Sequence, residues 1–320
     1  MKDFKGKVAF ITGGASGAGL GQAKVFSEAG CKIVIADIRQ DHLDEALAYF
    51  KDKKADVHAI KLDITDREAY AAAADEVERI YGSPPQLLFN TAGVNAFGPA
   101  EASTFEDFDW IIGVDLGGVI NGLVTFVPRM IQAGKGGHIC TVASMSGFMA
   151  SSNCTPYSVA KAGVVSLMEC YYQALKPYGI VVSCLCPGGI KSNIGESSYT
   201  RPEHLQNTGY NTTEKTIEFM RHHYSFGTDP IELAQIFKKG IENDQLYVLP
   251  VNEPEEMMRG TLERFINFST AEGTRRQEEL TIQRREAMRS QMTAGDGPMA
   301  GAEEAGWGKA RPDITWVKDK

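Results

Sequence analysis

A glycine-rich turn between a short apolar strand and a helix constrains the fold of this chain more than any other feature. Residues 8–11 are apolar, and residues 12–19 read Thr-Gly-Gly-Ala-Ser-Gly-Ala-Gly before a helical stretch that ends at Gly30. Glycines let the backbone approach a pyrophosphate, and the N-terminus of a helix adds N–H donors and a positive dipole. The segment predicts a dinucleotide-binding turn, although glycines also form plain turns.

Short apolar runs alternate with amphipathic stretches along the first 250 residues. Runs of strand length recur at 33–37, 57–63, 87–90, 138–142, 180–185 and 246–249, and helical patterns lie at 41–51, 66–81, 107–133, 156–176 and 229–242. Strands buried on both faces read as continuous apolar runs, and their alternation with helices favours a parallel sheet. The pattern predicts an α/β fold, a doubly wound parallel sheet with helices on both faces.

Two segments depart from this alternation. Residues 191–228 form a long polar insertion, and an insertion of that length is commonly a lid or a binding segment, or has helices of its own. Residues 254–292 carry dense mixed charge and predict an exposed helix, whereas the Gly- and Ala-rich residues 293–312 predict a flexible tail. We expect one domain over residues 1–250, with a substrate-binding insertion at 191–228, and a C-terminal helical and irregular extension over 251–320.

Charge and composition exclude several classes of partner. The net charge of −8 disfavours nucleic acid, because phosphate binding needs a clustered basic surface. No uninterrupted apolar run approaches the ~20 residues of a membrane span, and residues 1–6 lack a signal-peptide layout, which predicts a cytoplasmic protein without membrane contact. The six cysteines and the histidines show no metal-binding spacing, so no metal site is expected.

An acidic residue at the end of the second predicted strand bears on the choice of dinucleotide. Asp37 lies 18 residues beyond Gly19. A carboxylate there can accept hydrogen bonds from the ribose hydroxyls of adenosine and repels a 2′-phosphate, which favours NAD over NADP. Arg39 leaves the other choice open, because its side chain could reach a 2′-phosphate. Asp63 ends the third strand and is a candidate contact for the adenine edge.

A Tyr–Lys pair lies at the start of another predicted helix. Thr155 reads as the N-cap and Pro156 as the first helical residue, which places Tyr157 and Lys161 on one helix face. A tyrosine with its ordinary pKa of about 10 is a poor base at neutral pH, but a nearby cation stabilises the phenolate. Tyr157 could then accept a hydroxyl proton while hydride leaves the same carbon, with Ser144 holding the substrate oxygen. The spacing alone recurs by chance.

Taken together, these motifs resemble those of the short-chain dehydrogenase/reductase family, over about residues 1–250 and in the family's order. Residues 12–19 resemble its TGxxxGxG turn, 90–93 its NNAG element with one Asn replaced by Thr, and 186–192 its PG segment. Ser144 lies 13 residues before Tyr157, which is the family's spacing. The resemblance implies a single-domain Rossmann fold and an NAD-dependent enzyme that interconverts a secondary alcohol and a ketone.

The resemblance also assigns roles to individual positions. It implies a catalytic set of Ser144, Tyr157, Lys161 and Asp115, of which Asp115 occupies the place of a family Asn in the central helix. Asp115 could keep the geometry of that Asn, add a charge that raises the pKa of Lys161, or be only structural. The implied cofactor contacts, besides Tyr157 and Lys161, are Gly13, Ser16, Gly17, Ala18, Gly19, Asp37, Ile38, Asp63, Ile64, Asn90, Ala92, Gly93, Pro187, Gly188, Ile190 and Ser192.

Within the family, residues 9–19, 90–95, 107–114 and 190–194 are similar to bacterial Cα-dehydrogenases that oxidise benzylic alcohols of lignin-derived β-aryl ethers. This similarity implies a bulky, aromatic alcohol or ketone as substrate. Hydroxysteroid and bile-acid dehydrogenases, and a non-catalytic NAD-binding protein on the same fold, are the alternatives. Candidates for an apolar substrate wall are Phe97, Phe148, Met149, Tyr199 and Tyr210.

The central predicted helix, residues 107–133, is apolar around its whole girth. One face would pack on the sheet, and a second apolar face needs another cover. A homodimer or homotetramer built through the helices at 107–133 and 156–176, as in the resembling family, would supply that cover. The alternative is that the C-terminal tail of the same chain covers this face.

Overall fold

The structure, a computed structural model, describes residues 1–250, 254–267 and 271–294. Seven strands of its first unit, Met1–Pro254, form one parallel sheet in the order β3-β2-β1-β4-β5-β6-β7. The strands are β1 (Val8–Thr12), β2 (Lys32–Asp37), β3 (Val57–Lys61), β4 (Leu87–Asn90), β5 (Gly137–Val142), β6 (Ile180–Leu185) and β7 (Tyr247–Val248). The predicted doubly wound sheet is confirmed, with strand ends shifted by one or two residues.

Eight helices of this unit connect the strands. They are α1 (Gly17–Glu28), α2 (Gln40–Lys53), α3 (Arg67–Tyr81), α4 (Phe105–Ile112), α5 (Gly118–Ala133), α6 (Thr155–Ala174), α7 (Glu214–Tyr224) and α8 (Pro230–Glu242). Helix α6 begins one residue earlier than predicted, because Cys154 and not Thr155 is the N-cap. Pro156 remains in the first turn, where its missing N–H leaves no hydrogen bond unmade.

Alternate residues of each strand enter different cores on the two faces of the sheet. Ile11 of β1 belongs to a cluster shared with Phe26 of α1 and Phe237 of α8. Phe10 points to the opposite face, where its ring lies 4.8 Å from Phe126 of α5 and 6.2 Å from Tyr70 of α3. Both faces are therefore covered by helices, as the continuous apolar strands require.

The central helix contains a π-helical turn at Gly113–Gly117, between α4 and α5. Such a turn inserts an extra residue into a helix and is frequent at functional sites. The span Phe105–Ala133 has the length and the mean hydropathy, 1.7, of a membrane helix. More than half of the most apolar part of this span is buried within the protein, however, and a buried core helix has the same apolar composition.

The predicted insertion at 191–228 has secondary structure of its own. It consists of 3₁₀ turns at Asn193–Thr200 and Glu203–Leu205, followed by α7. The segment predicted to be one charged helix, residues 254–292, forms two helices, α9 (Pro254–Asn267) and α10 (Ala271–Ala294). The predicted flexible tail, apart from its first two residues, lies outside the described residues.

His138 is a fully buried histidine on β5. The hydroxyl of Ser183 donates to Gln245 O at 2.6 Å, so it must accept from His138 Nε2 at 2.8 Å. Nδ1 then carries no proton and has no hydrogen-bond partner among the described residues. Burial, followed by the charge of the N-terminal amine, lowers the pKa of His138 from 6.5 to about 3. The ring is therefore neutral in the folded protein.

We predict that His138 makes the fold sensitive to acid. Its pKa is lower in the folded chain than in the unfolded chain, so the unfolded chain binds the extra proton first as the pH falls. Its stabilising contribution is complete above pH 6.5 and is lost between pH 6.5 and about 3, at about 1.4 kcal/mol per pH unit. His138→Gln keeps an N–H donor and cannot titrate in this range, so urea unfolding at pH 7 and pH 4.5 should show a smaller loss than in the wild type. Equal losses in the two proteins would contradict this role.

Candidate active site

A cleft of about 770 Å³ lies at the carboxyl ends of the strands, where the strand order reverses between β1 and β4. This switch point is where doubly wound sheets bind ligands, because the loops diverge there. The cleft runs from the glycine-rich turn to the insertion. It is lined by every sequence-predicted site residue except Asn90 and Asp115.

The glycine-rich turn is held tightly against the loop that follows β4. Gly13 has φ +64°, and a Cβ there would lie 2.8 Å from Cα of Ala92, so only glycine permits this approach. The hydroxyl of Thr12 accepts the N–H groups of Thr91 at 3.0 Å and Ala92 at 3.2 Å and donates to Phe89 O. The threonine of the motif therefore fixes the relative position of the two loops that border the cleft.

Asp37 occupies the place expected for recognition of a ribose. Its carboxylate accepts the N–H groups of Arg39 at 3.1 Å and Ala15 at 3.3 Å. Burial raises its pKa, and these hydrogen bonds oppose the shift. The guanidinium of Arg39 pairs with the carboxylate of Asp41. Arg39, the side chain that could bind a 2′-phosphate, is therefore already held by an acidic residue. The close glycine approach and this carboxylate fit the adenosine and pyrophosphate half of NAD.

Two of the predicted cofactor residues have partners within the protein. The carboxylate of Asp63 accepts both the N–H and the hydroxyl of Thr65, at 2.9 and 2.7 Å, while the residue still lines the cleft. Asn90 is buried and donates from Nδ2 to the hydroxyl of Thr141 at 3.2 Å. The Asn90 side chain fastens β4 to β5 beneath the cleft, and a contact of this residue with the cofactor stays a prediction.

Tyr157, Lys161 and Ser144 meet at the floor of the cleft. Helix α6 carries Tyr157 and Lys161 one turn apart, and Nζ of Lys161 lies 5.4 Å from the centre of the Tyr157 ring. Ser144 follows β5, lines the cleft with Tyr157, and accepts the N–H of Ser146 at 3.1 Å. Nζ of Lys161 donates to Val142 O at 3.3 Å, which fixes the ammonium beneath the two hydroxyls.

Asp115 supplies a counter-charge to this buried lysine. It is fully buried in the π-helical turn, and its Oδ2 lies 3.1 Å from Nζ of Lys161. Oδ2 has no well-directed hydrogen bond, so the contact is chiefly ionic, whereas Oδ1 accepts the N–H of Val94 at 2.7 Å. A Cβ on Gly93 would lie 3.1 Å from Oδ2 and 3.4 Å from Nζ. Gly93 therefore leaves the space in which the ion pair forms.

The ion pair sets the pKa values of the site. Burial acts to lower the pKa of Lys161, but the negative charges of Asp115 and Tyr157 outweigh it and raise the pKa. Burial raises the pKa of Asp115 against the opposing charge of Lys161. Because Val94 and Val142 hydrogen-bond the charged forms, we assign an ammonium at Lys161 and a carboxylate at Asp115.

The pKa of Tyr157 differs from the simple expectation. Its pKa is raised, because burial outweighs the lowering by Lys161 and by the hydroxyl of Ser144, and the charge of Asp115 raises it further. The helical spacing indicates a cation one turn away, but it carries no information on burial or on a neighbouring carboxylate. A lysine alone therefore does not make Tyr157 a base at neutral pH.

Of the five predicted wall residues, only Phe97 lines the cleft. Phe148 packs on Tyr247 with ring centres 5.6 Å apart, and Met149 is not on the cleft wall. The hydroxyl of Tyr199 donates to Glu214, and buried Tyr210 hydrogen-bonds to Ser103. The prediction is wrong for these four residues, because their partners lie elsewhere in the fold.

Several side chains of the cleft wall were not individually predicted from the sequence, among them residues of α4 and of the insertion. The cleft wall includes Trp110, Leu205 and Tyr224, with His204 and His223 more exposed to solvent. Trp110 lies on a predicted helix and could have been sought as an inward-facing aromatic. The insertion has no periodicity from which the other side chains could be placed. The described residues contain no cluster of His, Cys, Asp or Glu able to hold a metal.

A buried ion pair joins the insertion to α4. Arg201 Nη1 lies 2.6 Å from Asp107 Oδ1, and both side chains are at least 98% buried. The remaining guanidinium nitrogens donate to the carbonyls of Leu205 and Asn207. The guanidinium also lies 5.0 Å from the Trp110 ring centre. This pair, 94 residues apart in sequence, fastens the insertion to α4, and both segments contribute side chains to the cleft wall.

Comparison with known proteins agrees with this architecture. Residues 7–203 match the model of the short chain dehydrogenase family. The C alpha-dehydrogenase of Sphingobium sp. (strain NBRC 103272 / SYK-6) is 55% identical over 256 residues, which are 80% of this chain and 84% of that protein.

Solved structures show the same relationship. The apo form of LigD from Sphingobium sp. strain SYK-6 is 48% identical, covers 84% of this chain and 99% of its own, and has a TM-score of 0.71. A short chain dehydrogenase/reductase from Burkholderia phymatum in complex with NAD is 30% identical, covers 81% and 94%, and has a TM-score of 0.76. Family model, relatives, fold and site agree: this chain is a member of the short-chain dehydrogenase/reductase family and an alcohol dehydrogenase.

Proposed function

We propose that this enzyme oxidises the secondary benzylic alcohol of a bulky aromatic substrate of the β-aryl ether type to the ketone, with NAD as the acceptor. The observation that carries this proposal is the group of Tyr157, Ser144 and Lys161 at the floor of a cleft whose wall includes Phe97 and Trp110. Aromatic walls bind aryl rings well. The 55% identical relative is named a C alpha-dehydrogenase, which supports the same substrate class.

The residues that would hold NAD follow the cleft from one end to the other. Asp37 would bind the adenosine ribose, and the N-terminus of α1 at Gly17 would face the pyrophosphate. Ile190 and Ser192 also line the cleft, where they would hold the carboxamide. NAD bound there would supply the hydride acceptor and a positively charged ring near Tyr157. The NAD complex of the 30% identical relative supports this cofactor.

The side chains of this chain would handle the substrate proton. Ser144 and Tyr157, which line the cleft together, would hold the oxygen of the alcohol. Tyr157 would accept the hydroxyl proton as the carbinol carbon loses hydride, so that the C–O bond becomes a carbonyl. Lys161 lowers the pKa of the phenol by its charge. Asp115 acts through Lys161 and is a positioning residue for it.

We further propose that the enzyme is a cytoplasmic homodimer or homotetramer assembled through the central helix, α4 with α5, and through α6. Ile120 and Val124 of α5 and Val159 of α6 are exposed apolar side chains, and a symmetric contact would bury them. All six cysteines are unpaired, which fits a reducing compartment.

Replacement of the phenol tests the proposed chemistry. Tyr157→Phe should lower kcat/KM for oxidation of a β-aryl ether dimer by at least about a hundredfold, because the proton acceptor is lost. Tyr171→Phe, on the same helix and away from the cleft, is the matched control and should keep wild-type activity. The rate of NADH formation is measured from the absorbance of reduced nicotinamide at ~340 nm. Faster oxidation of hydroxysteroids would favour that substrate class, and no NADH from any secondary alcohol would favour a binding protein.

Removal of the charge at Asp115 should move the pH dependence of the reaction. Asp115→Asn keeps an oxygen for the N–H of Val94 but no longer raises the pKa of Tyr157 or of Lys161. Both limbs of the profile of kcat/KM for alcohol oxidation should therefore move to lower pH. Asp75→Asn, on exposed α3 surface, is the control and should leave the profile in place. A profile that stays fixed or moves to higher pH would show that Asp115 does not tune the site.

A further inference from the structure

Asn95 has a buried amide oxygen for which the described residues provide no partner. The residue is 6% exposed and lines the cleft, and its Oδ1 has no hydrogen bond within the described residues. Seven other described side chains have a buried polar atom without a partner, and none of them lines the cleft. Asn95 is thus the described residue of the cleft wall whose side chain contains a buried polar atom without a hydrogen bond.

The backbone on both sides of this amide is fixed. The N–H of Val94 is bound by Asp115 at 2.7 Å, and the N–H of Asn95 donates to the hydroxyl of Ser197 at 3.1 Å. Ser197 in turn donates to Ile194 O at 2.7 Å within the insertion. The main chain at Asn95 is therefore held between Asp115, the partner of Lys161, and Ser197 of the insertion.

An unsatisfied buried amide is unfavourable for the fold. An apolar side chain of similar size would occupy the site without an unmade hydrogen bond, so packing alone does not account for an asparagine here. Buried polar groups without a partner call for another explanation, and a ligand is one of those that apply at a binding surface.

We propose that Asn95 recognises a second hydroxyl group of the alcohol substrate, close to the carbinol carbon. Oδ1 needs a donor, which a hydroxyl supplies and which an ether oxygen or an aryl ring does not. If the amide is turned over, the same hydroxyl can accept from Nδ2. The inference rests on the proposed function, in that the substrate is a secondary alcohol bound between Tyr157 and the insertion, and it narrows that substrate to a diol.

Matched substrates test this assignment. The wild type should oxidise 1-phenyl-1,2-propanediol or 1-phenyl-1,3-propanediol with a kcat/KM about tenfold or more above that of 1-phenyl-1-propanol. Asn95→Leu and Asn95→Ala should abolish this preference by lowering kcat/KM for the diol. For the simple alcohol, kcat/KM should change by less than about twofold, which is far below the loss expected for a hydrogen bond.

Asn121 provides the control, because it is a buried asparagine whose Nδ2 is satisfied by Ile64 O at 2.9 Å. Asn121→Ala should lower the melting temperature and keep the diol preference. Asn95→Leu should keep or raise the melting temperature, since it removes an unmade hydrogen bond. A fall in Tm as large as that of Asn121→Ala would make Asn95 structural and overturn the proposal.

The remaining outcomes are also decisive. A wild type without diol preference, or Asn95 variants that retain it, would overturn the role of Asn95 while leaving the dehydrogenase function intact. If neither compound is oxidised, the proposed function fails, and calorimetric titration of the same diols and alcohol decides the role of Asn95. Tighter diol binding that disappears in Asn95→Leu would support it, and equal binding would overturn it.

Discussion

The ion pair between Lys161 and Asp115 is the interaction on which the arrangement of this active site depends. A buried ammonium without a counter-charge would be expensive, and removal of one partner from such a pair typically costs about 3–5 kcal/mol. The pair joins α6 to the π-helical turn of the central helix, and Asp115 extends the link to the loop after β4 through Val94. Gly93 provides the space, and the extra residue of the π-helical turn brings a carboxylate to that depth.

The same pair limits how basic Tyr157 can be. Lys161 lowers the pKa of the phenol, but Asp115 offsets part of that field and burial outweighs the remainder. Without further positive charge in the cleft, Tyr157 therefore stays protonated at neutral pH. The carboxylate keeps the lysine charged and in place.

Local patterns predicted the parts of the fold that are fixed by local physics. The strands, the glycine-rich turn and the Tyr157–Lys161 spacing each follow from residues near in sequence, and all were located to within one or two residues. The cleft wall depends on contacts such as Arg201 with Asp107 across 94 residues, which no periodicity reveals. The raised pKa of Tyr157 was missed for the same reason, because burial and the distance to Asp115 are properties of the folded chain. The motif likewise did not reveal that the Asn90 side chain binds Thr141, and its contact with the cofactor stays a prediction.

The protonation state of Lys161 is the most direct test of the ion pair and its central role. The ¹⁵N chemical shift of the Lys161 side chain, assigned by its absence in a Lys161→Arg variant, can be followed in the substrate-free enzyme as the pH is raised. We expect an ammonium that persists above pH 10.5, the ordinary pKa of lysine, because the charges of Asp115 and Tyr157 hold the proton against burial. A Lys161 side chain that loses its proton below that pH would contradict the central role of the ion pair.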